Sequence, residues 1–122
     1  MDWTPLLIIA AIVAVVFVMK RAGQISARDA LAHLKDGALV VDVRSPGEFN
    51  AGHLSVAMNI PLDEIETAMP RRVKDKNQVV LLHCQSGMRS GMAQRKLRRM
   101  GYAKSFNLGS YGRTESILKR RP

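Results

Sequence analysis

The chain has a single cysteine, Cys84, so no disulfide can form within it, and its one thiol stays available only in a reducing compartment. Three scattered histidines and one thiol do not make a metal-ligand set, and neither a metal nor an organic cofactor is implied. Aromatic residues make up only 5% of the sequence. In the basic second half they are Tyr102, Phe106 and Tyr111, too few for the aromatic–basic interleaving of nucleic-acid surfaces, so no nucleic acid is expected as a partner. Internal repeats and low-complexity segments are absent as well. With 122 residues there is room for one small domain.

Acidic residues are also scarce, 10 against 19 Lys and Arg, and the imbalance is uneven. From Arg71 to Pro122 there are 14 basic residues against Asp75 and Glu115, a net +12, whereas residues 20 to 70 carry −2. Such a face is either solvated or drawn to anionic lipid head groups. Residues from Pro5 to Met19 carry no charge at all. They are apolar throughout, preceded by Trp3 and followed by Lys20 and Arg21.

Residues 3–19 are therefore expected to form a transmembrane helix of about 25 Å, at the short end for a hydrocarbon core of about 30 Å. Trp3 at one interface and snorkelling Lys20 and Arg21 at the other are expected to cover the difference. A cleaved signal peptide fits less well, because Asp2 is the only charged side chain before the run and no small-residue cleavage site follows it. A buried core helix would need a polar face. The positive-inside rule places Lys20 and Arg21 in the cytoplasm. The expectation is a single-pass anchor in the inner (cytoplasmic) membrane, N-terminus outside, with residues 20–24 as a short juxtamembrane linker and the domain of residues 25–122 in the cytoplasm.

Short apolar segments then alternate with helical patterns. A strand is expected to begin at Ile25, followed by a helix that Ser26 starts with Asp29 three positions on. Further strands are expected at Leu39–Val41 ending on Asp42, Ala57–Ile60, Val79–Leu82 and Lys104–Leu108. A short helical piece is expected between Gly47 and Gly52, one from Leu62 to Met69 before Pro70, and one from Ser90 to Met100 with Ala93, Leu97 and Met100 on its apolar face. This order predicts an α/β fold, a small parallel sheet of about five strands with helices on both faces.

Two strands end on chemically capable residues, Asp42 and Cys84, at the carboxyl edge where open α/β sheets build their sites. Behind Cys84 come Gln85, Ser86, Gly87, Met88, Arg89 and Ser90. Loop N–H groups, the positive end of the following helix and the Arg89 guanidinium all favour a thiolate. A lone cysteine is commonly a small buried hydrophobe, but here strand, tight loop and helix start together make an anion cradle. Cys84 is the expected nucleophile. Arg44 and Glu48, four apart, are expected to pair and brace the turn after Asp42. His53 is read as a hydrogen-bonding brace, and His83 as structural, pointing away from the Cys84 side chain.

The string Cys84-Gln85-Ser86-Gly87-Met88-Arg89-Ser90 resembles the active loop of the rhodanese (sulfurtransferase) family. Upstream, Asp42-Val43-Arg44 through Glu48-Phe49 and Gly52-His53-Leu54, then Ala57-Met58-Asn59-Ile60-Pro61, is similar to that family's second signature. The likeness runs from about Ile25 to about Leu108. Related phosphatases have five residues between Cys and Arg; here there are four, and in the resemblance the shorter loop goes with sulfane sulfur. After Leu108 the chain departs from the family: Gly109-Ser110-Tyr111-Gly112 stands where many members have two glycines and, further on, a tryptophan.

The resemblance implies a membrane-anchored sulfurtransferase in which Cys84 takes a sulfane sulfur from a donor such as thiosulfate or a persulfide and passes it to a thiol or other nucleophile. Gln85, Ser86, Gly87, Met88 and Arg89 would bind the donor, with Asp42, Arg44 and Ser90 supporting them from behind. The alternative is a low-turnover persulfide carrier or docking module for a membrane partner.

Overall fold

A computed structural model gives the fold and describes the backbone of residues 1–122, with every side chain except those of residues 20–22. Helix α1 (Thr4–Ala22) comes first, and its large apolar side chains from Leu6 to Met19 are all more than half exposed. The helical conformation expected near the N-terminus is present. The membrane span expected over residues 3–19 is not supported, since no helix among the described residues is long and apolar enough to cross a membrane. The fifteen apolar residues from Pro5 to Met19 cover about 22 Å of helix axis, short of a hydrocarbon core of about 30 Å. The side chains of Lys20 and Arg21, expected to snorkel, lie outside the described residues.

Ser26 begins helix α2 (Ala27–Lys35), its hydroxyl accepting the Asp29 N–H at 3.1 Å. Strand β1 (Leu39–Asp42) leads to a short helix α3 (Pro46–Ala51). There Ser45 and Glu48 form a reciprocal cap and Pro46 takes the first helical position, where its missing N–H costs nothing. Strand β2 (Ala57–Asn59) follows, then a single 3-10 turn (Leu62–Glu64) running into helix α4 (Ile65–Arg72). Strand β3 (Val80–His83), helix α5 (Met88–Arg99), strand β4 (Ser105–Gly109) and helix α6 (Tyr111–Leu118) complete the chain.

The four strands form one parallel sheet in the order β2-β1-β3-β4. Strand alternation sorts its side chains between two cores. Val41 and Leu82 face α4 and α5, where Ile65, Met69, Ala93 and Leu97 cover them. Val40, Leu81 and Leu108 face the other way, against Ala30 of α2 and Ile117 of α6. Among the described residues, neither core includes one from α1. The expected α/β architecture with helices on both faces is therefore present.

Four strands stand where about five were expected. Ile25 does not begin a strand: Gln24 makes an isolated parallel bridge to Asn107, Ile25 N–H bonds Asn107 O at 2.9 Å, and the chain turns at once into α2. Helix α4 continues through Pro70 rather than ending before it. Pro70 is exposed, and so is Glu66, whose carbonyl loses its helical donor there.

Candidate active site

Strand β3 is buried along its whole length, and it delivers Cys84 to the carboxyl edge of the sheet. The loop then turns within three residues into α5. Gly87 makes this possible, with φ +95°, a left-handed conformation that other residues adopt only under strain. A Cβ there would also stand 3.2 Å from Gly109 Cα. Because Gly87 takes the cap position, α5 starts at Met88 rather than at Ser90, which lies buried inside its first turn.

Cys84 is fully buried, and its Sγ accepts the Gly87 N–H at 3.0 Å. Burial, the largest single effect on the thiol, raises its pKa. The Ser90 hydroxyl and the backbone N–H groups of Ser90, Gly87 and Ser86 outweigh that, so the thiol ionises below its usual range. Ser90 Oγ is 3.5 Å from Sγ but 2.7 Å from Asn107 Oδ1, and its one proton serves one of them at a time. The backbone donors have no such choice and form the permanent part of the cradle.

Asn107 was not singled out from the sequence, yet it ties the site together. Its Oδ1 takes the Ser90 hydroxyl and the Gly109 N–H at 2.8 Å, while its Nδ2 donates to Gly87 O at 3.1 Å. The end of β4 and the segment after it are laced to the loop through Cys84 N–H to Gly109 O, Tyr111 N–H to Gln85 O, both at 3.3 Å, and a Ser86–Ser110 bridge. The departure after Leu108 therefore lies against the loop itself. Ser110, whose hydroxyl accepts the Arg113 N–H at 3.1 Å and starts α6, was the sequence signal for this helix.

Arg44 does not pair with Glu48. Its Nε donates to both Asp42 oxygens at 3.0 Å, and its Nη2 to Asp42 Oδ2 at 2.8 Å and Gly52 O at 2.7 Å. Helix α3 begins only at Pro46, so helical i,i+4 spacing does not apply to Arg44. Glu48 instead meets Arg89 end to end, Nη1 to Oε1 at 2.6 Å and Nη2 to Oε2 at 3.0 Å. The Arg89 hydrogen bonds first, and the Ser45 N–H second, hold the Glu48 carboxyl well below its usual range, at about 2. Arg89, expected to stabilise the thiolate and hold the donor, has both terminal nitrogens bound to this carboxylate.

The remaining expectations divide. Asn59, from the second signature, donates to Asp42 O at 2.9 Å and Arg44 O at 3.0 Å and so pins the turn after β1. His53 braces that turn, its Nδ1 2.8 Å from Phe49 O and its ring stacked on Phe49. His83 is buried opposite Asp42, its ring and that of Tyr111 of α6 meeting T-shaped at 5.8 Å, on the face away from Cys84. Burial, the strongest influence, holds it below the usual imidazole pKa. Gln85, Ser86 and Met88 are exposed around the loop, Met88 at 72%. Beside them lies a cavity of about 290 Å³ lined by Arg44, Glu48, Ala51, Gly52, Gln85 and Tyr111. The Arg44 guanidinium stands 4.9 Å over the Tyr111 ring.

Comparison with known proteins agrees with this geometry. The thiosulfate sulfurtransferase PspE of Escherichia coli (strain K12) is 39% identical over 69 residues, which cover 57% of this chain and 66% of that protein. A sulfurtransferase of Allochromatium vinosum is 36% identical over 78 residues, covering 64% of this chain and 70% of that one. Bacillus subtilis YqhL matches over 55% of its length, so the chain spans less than two thirds of some of these relatives. Among solved structures, a rhodanese with anions from E. coli is 35% identical, with TM-score 0.60 over 63% of this chain and 91% of that one. The human single-domain sulfurtransferase TSTD1 is 26% identical with TM-score 0.63, covering 82% and 98%. The family model for the rhodanese-like domain matches residues 26–112, and the chain belongs to that family.

Proposed function

We propose that this rhodanese-like domain is a sulfurtransferase working through a persulfide on Cys84. One observation carries the reading: a buried thiol ringed by backbone N–H donors, at the start of a helix, with its pKa lowered against the effect of burial. The Cys84 thiolate attacks the outer sulfur of a donor such as thiosulfate. A new S–S bond forms to Cys84, the donor's own S–S bond breaks, and its electron pair leaves with sulfite. A thiolate acceptor then attacks the outer sulfur of the protonated persulfide, leaving with that sulfur and its proton and returning Cys84 to thiolate. The loop N–H groups stabilise the anion at both stages.

Full burial of Cys84 favours donors that present a narrow terminal sulfur over bulky electrophiles. It also supports the second reading, a slow carrier of persulfide for a partner protein. Steady-state thiocyanate formation from thiosulfate and cyanide, compared with persulfide formation on Cys84, separates the two. Turnover supports the enzyme, and stoichiometric charging without turnover supports the carrier.

The exposed apolar surface of α1 supports membrane attachment through residues 3–19, with the domain proposed to lie on the cytoplasmic side. Contact with anionic lipid through α5 is the associated proposal. Arg95, Arg98 and Arg99 are exposed there, Arg98 lying over Phe106, whereas Lys96 pairs with Glu66 at 3.2 Å.

A further inference from the structure

Two guanidinium–carboxylate pairs border the Cys84 loop. Arg44 is bound to Asp42, with both side chains almost fully buried. Arg89 is bound to Glu48, and this second pair lies at the surface, each side chain 36% exposed. Glu48 is not a chance neighbour. Its Oε1 also accepts the Ser45 N–H at 3.2 Å and the Ser45 hydroxyl at 3.1 Å as part of the cap of α3, so the carboxylate is held at the loop from the other side. It lines the same cavity as Arg44, Gln85 and Tyr111.

We propose that Glu48 is a specificity-determining residue which, by occupying both terminal nitrogens of Arg89, disfavours doubly charged sulfane donors relative to singly charged ones. The inference rests on the Cys84 persulfide reading above. A dianion such as thiosulfate must either take the guanidinium away from Glu48 and lie beside the carboxylate it strands, or bind without a cation that Glu48 already neutralises. A monoanionic donor such as a thiosulfonate or an organic persulfide meets half that repulsion. Bidentate pairing makes the competition steep, because a donor has to break two charge-assisted hydrogen bonds to reach the cation.

Thiosulfate and methanethiosulfonate isolate this effect. In each, the Cys84 thiolate attacks the outer sulfur and an S–S bond breaks. The leaving group is sulfite from the first and methanesulfinate from the second, so the chemistry is shared and the charge differs by one. The quantity to measure, on the full chain in detergent, is the ratio of kcat/KM for thiosulfate to that for methanethiosulfonate. Glu48→Gln should raise this ratio roughly twofold to fivefold at low salt, the range of a surface ion pair, and high salt should shrink the gain. Glu48→Asp, which keeps the charge, should leave the ratio near that of the native chain. Adding Arg89→Ala to Glu48→Gln should remove the gain.

A ratio unmoved or lowered by Glu48→Gln overturns the proposal. So does an equal change in Glu48→Asp, which would make Glu48 a cap for α3 and nothing more. Persulfide mass on Cys84 is followed in the same samples. If the native chain is charged by methanethiosulfonate and the ratio does not move, this inference alone fails; if neither donor charges Cys84, the underlying reading fails.

Discussion

Replacing Asp42 with Asn removes the negative charge from a pair whose side chains are 0% and 6% exposed, and leaves the Arg44 guanidinium buried without a counter-charge. Asn keeps one acceptor for the Arg44 N–H, which Asp42 now binds at 2.9 Å, so shape is largely preserved and the loss is electrostatic. Breaking a buried pair from one side costs about 3–5 kcal/mol. For a domain whose whole stability is about 5–15 kcal/mol, that is a large fraction. At about 4–8 °C per kcal/mol for a domain of this size, the melting temperature should fall by roughly 12 °C or more. Urea denaturation in detergent, followed by far-UV circular dichroism, measures the change. Adding Arg44→Met should recover part of it, with a coupling of roughly 1–3 kcal/mol, since an apolar side chain has no charge to strand. A loss under about 1 kcal/mol for Asp42→Asn would refute the reasoning, because Arg44 would then be solvated well enough to do without its partner.

Gly87→Ala should destabilise the domain by about 1–3 kcal/mol and slow sulfur transfer, because φ +95° and a Cβ 3.2 Å from Gly109 Cα both oppose it; denaturation midpoints and single-turnover rates check this. The rate of persulfide formation should rise with pH through a midpoint below the ordinary thiol value of 9.0, since Cys84 must be ionised to attack, and stopped-flow rates across pH give that midpoint. Stability should fall on acidification in two windows. Below about 6.5 the unfolded chain protonates His83 while the buried ring resists. Between about 4.5 and 2 the Glu48 carboxylate is lost. A chain of residues 23–122, which retains both cores, should bind anionic vesicles at low salt and release at high salt; indifference to anionic vesicles would leave an acidic protein partner as the better account of the basic face.

What was legible in the sequence was local. The buried run before Cys84, the Ser26 and Ser45 helix starts and the alternation of strand and helix each depend on neighbours a few residues away. Pairings between distant segments were not legible. Arg44 stands four residues before Glu48, but Ser45 begins a new helix between them, and Arg44 turns back to Asp42 while Glu48 reaches across to Arg89. Asn107 carries no motif of its own, and its role exists only because β4 lies beside β3 and brings it under the loop. Ile25 has the composition of a strand but no length in which to pair before Ser26 starts α2. Helix α6 was hidden by Gly112 and a β-branched Thr114, poor helix formers that packing on the sheet overrides.

Intact-mass spectrometry of the full chain, after donor treatment and removal of excess donor, reads whether Cys84 carries the transferred sulfur. The expected result is the added mass of one sulfur atom, located on Cys84, discharged as thiocyanate when cyanide is supplied and absent from Cys84→Ser. No added sulfur in the native chain, or the same addition in Cys84→Ser, would contradict it.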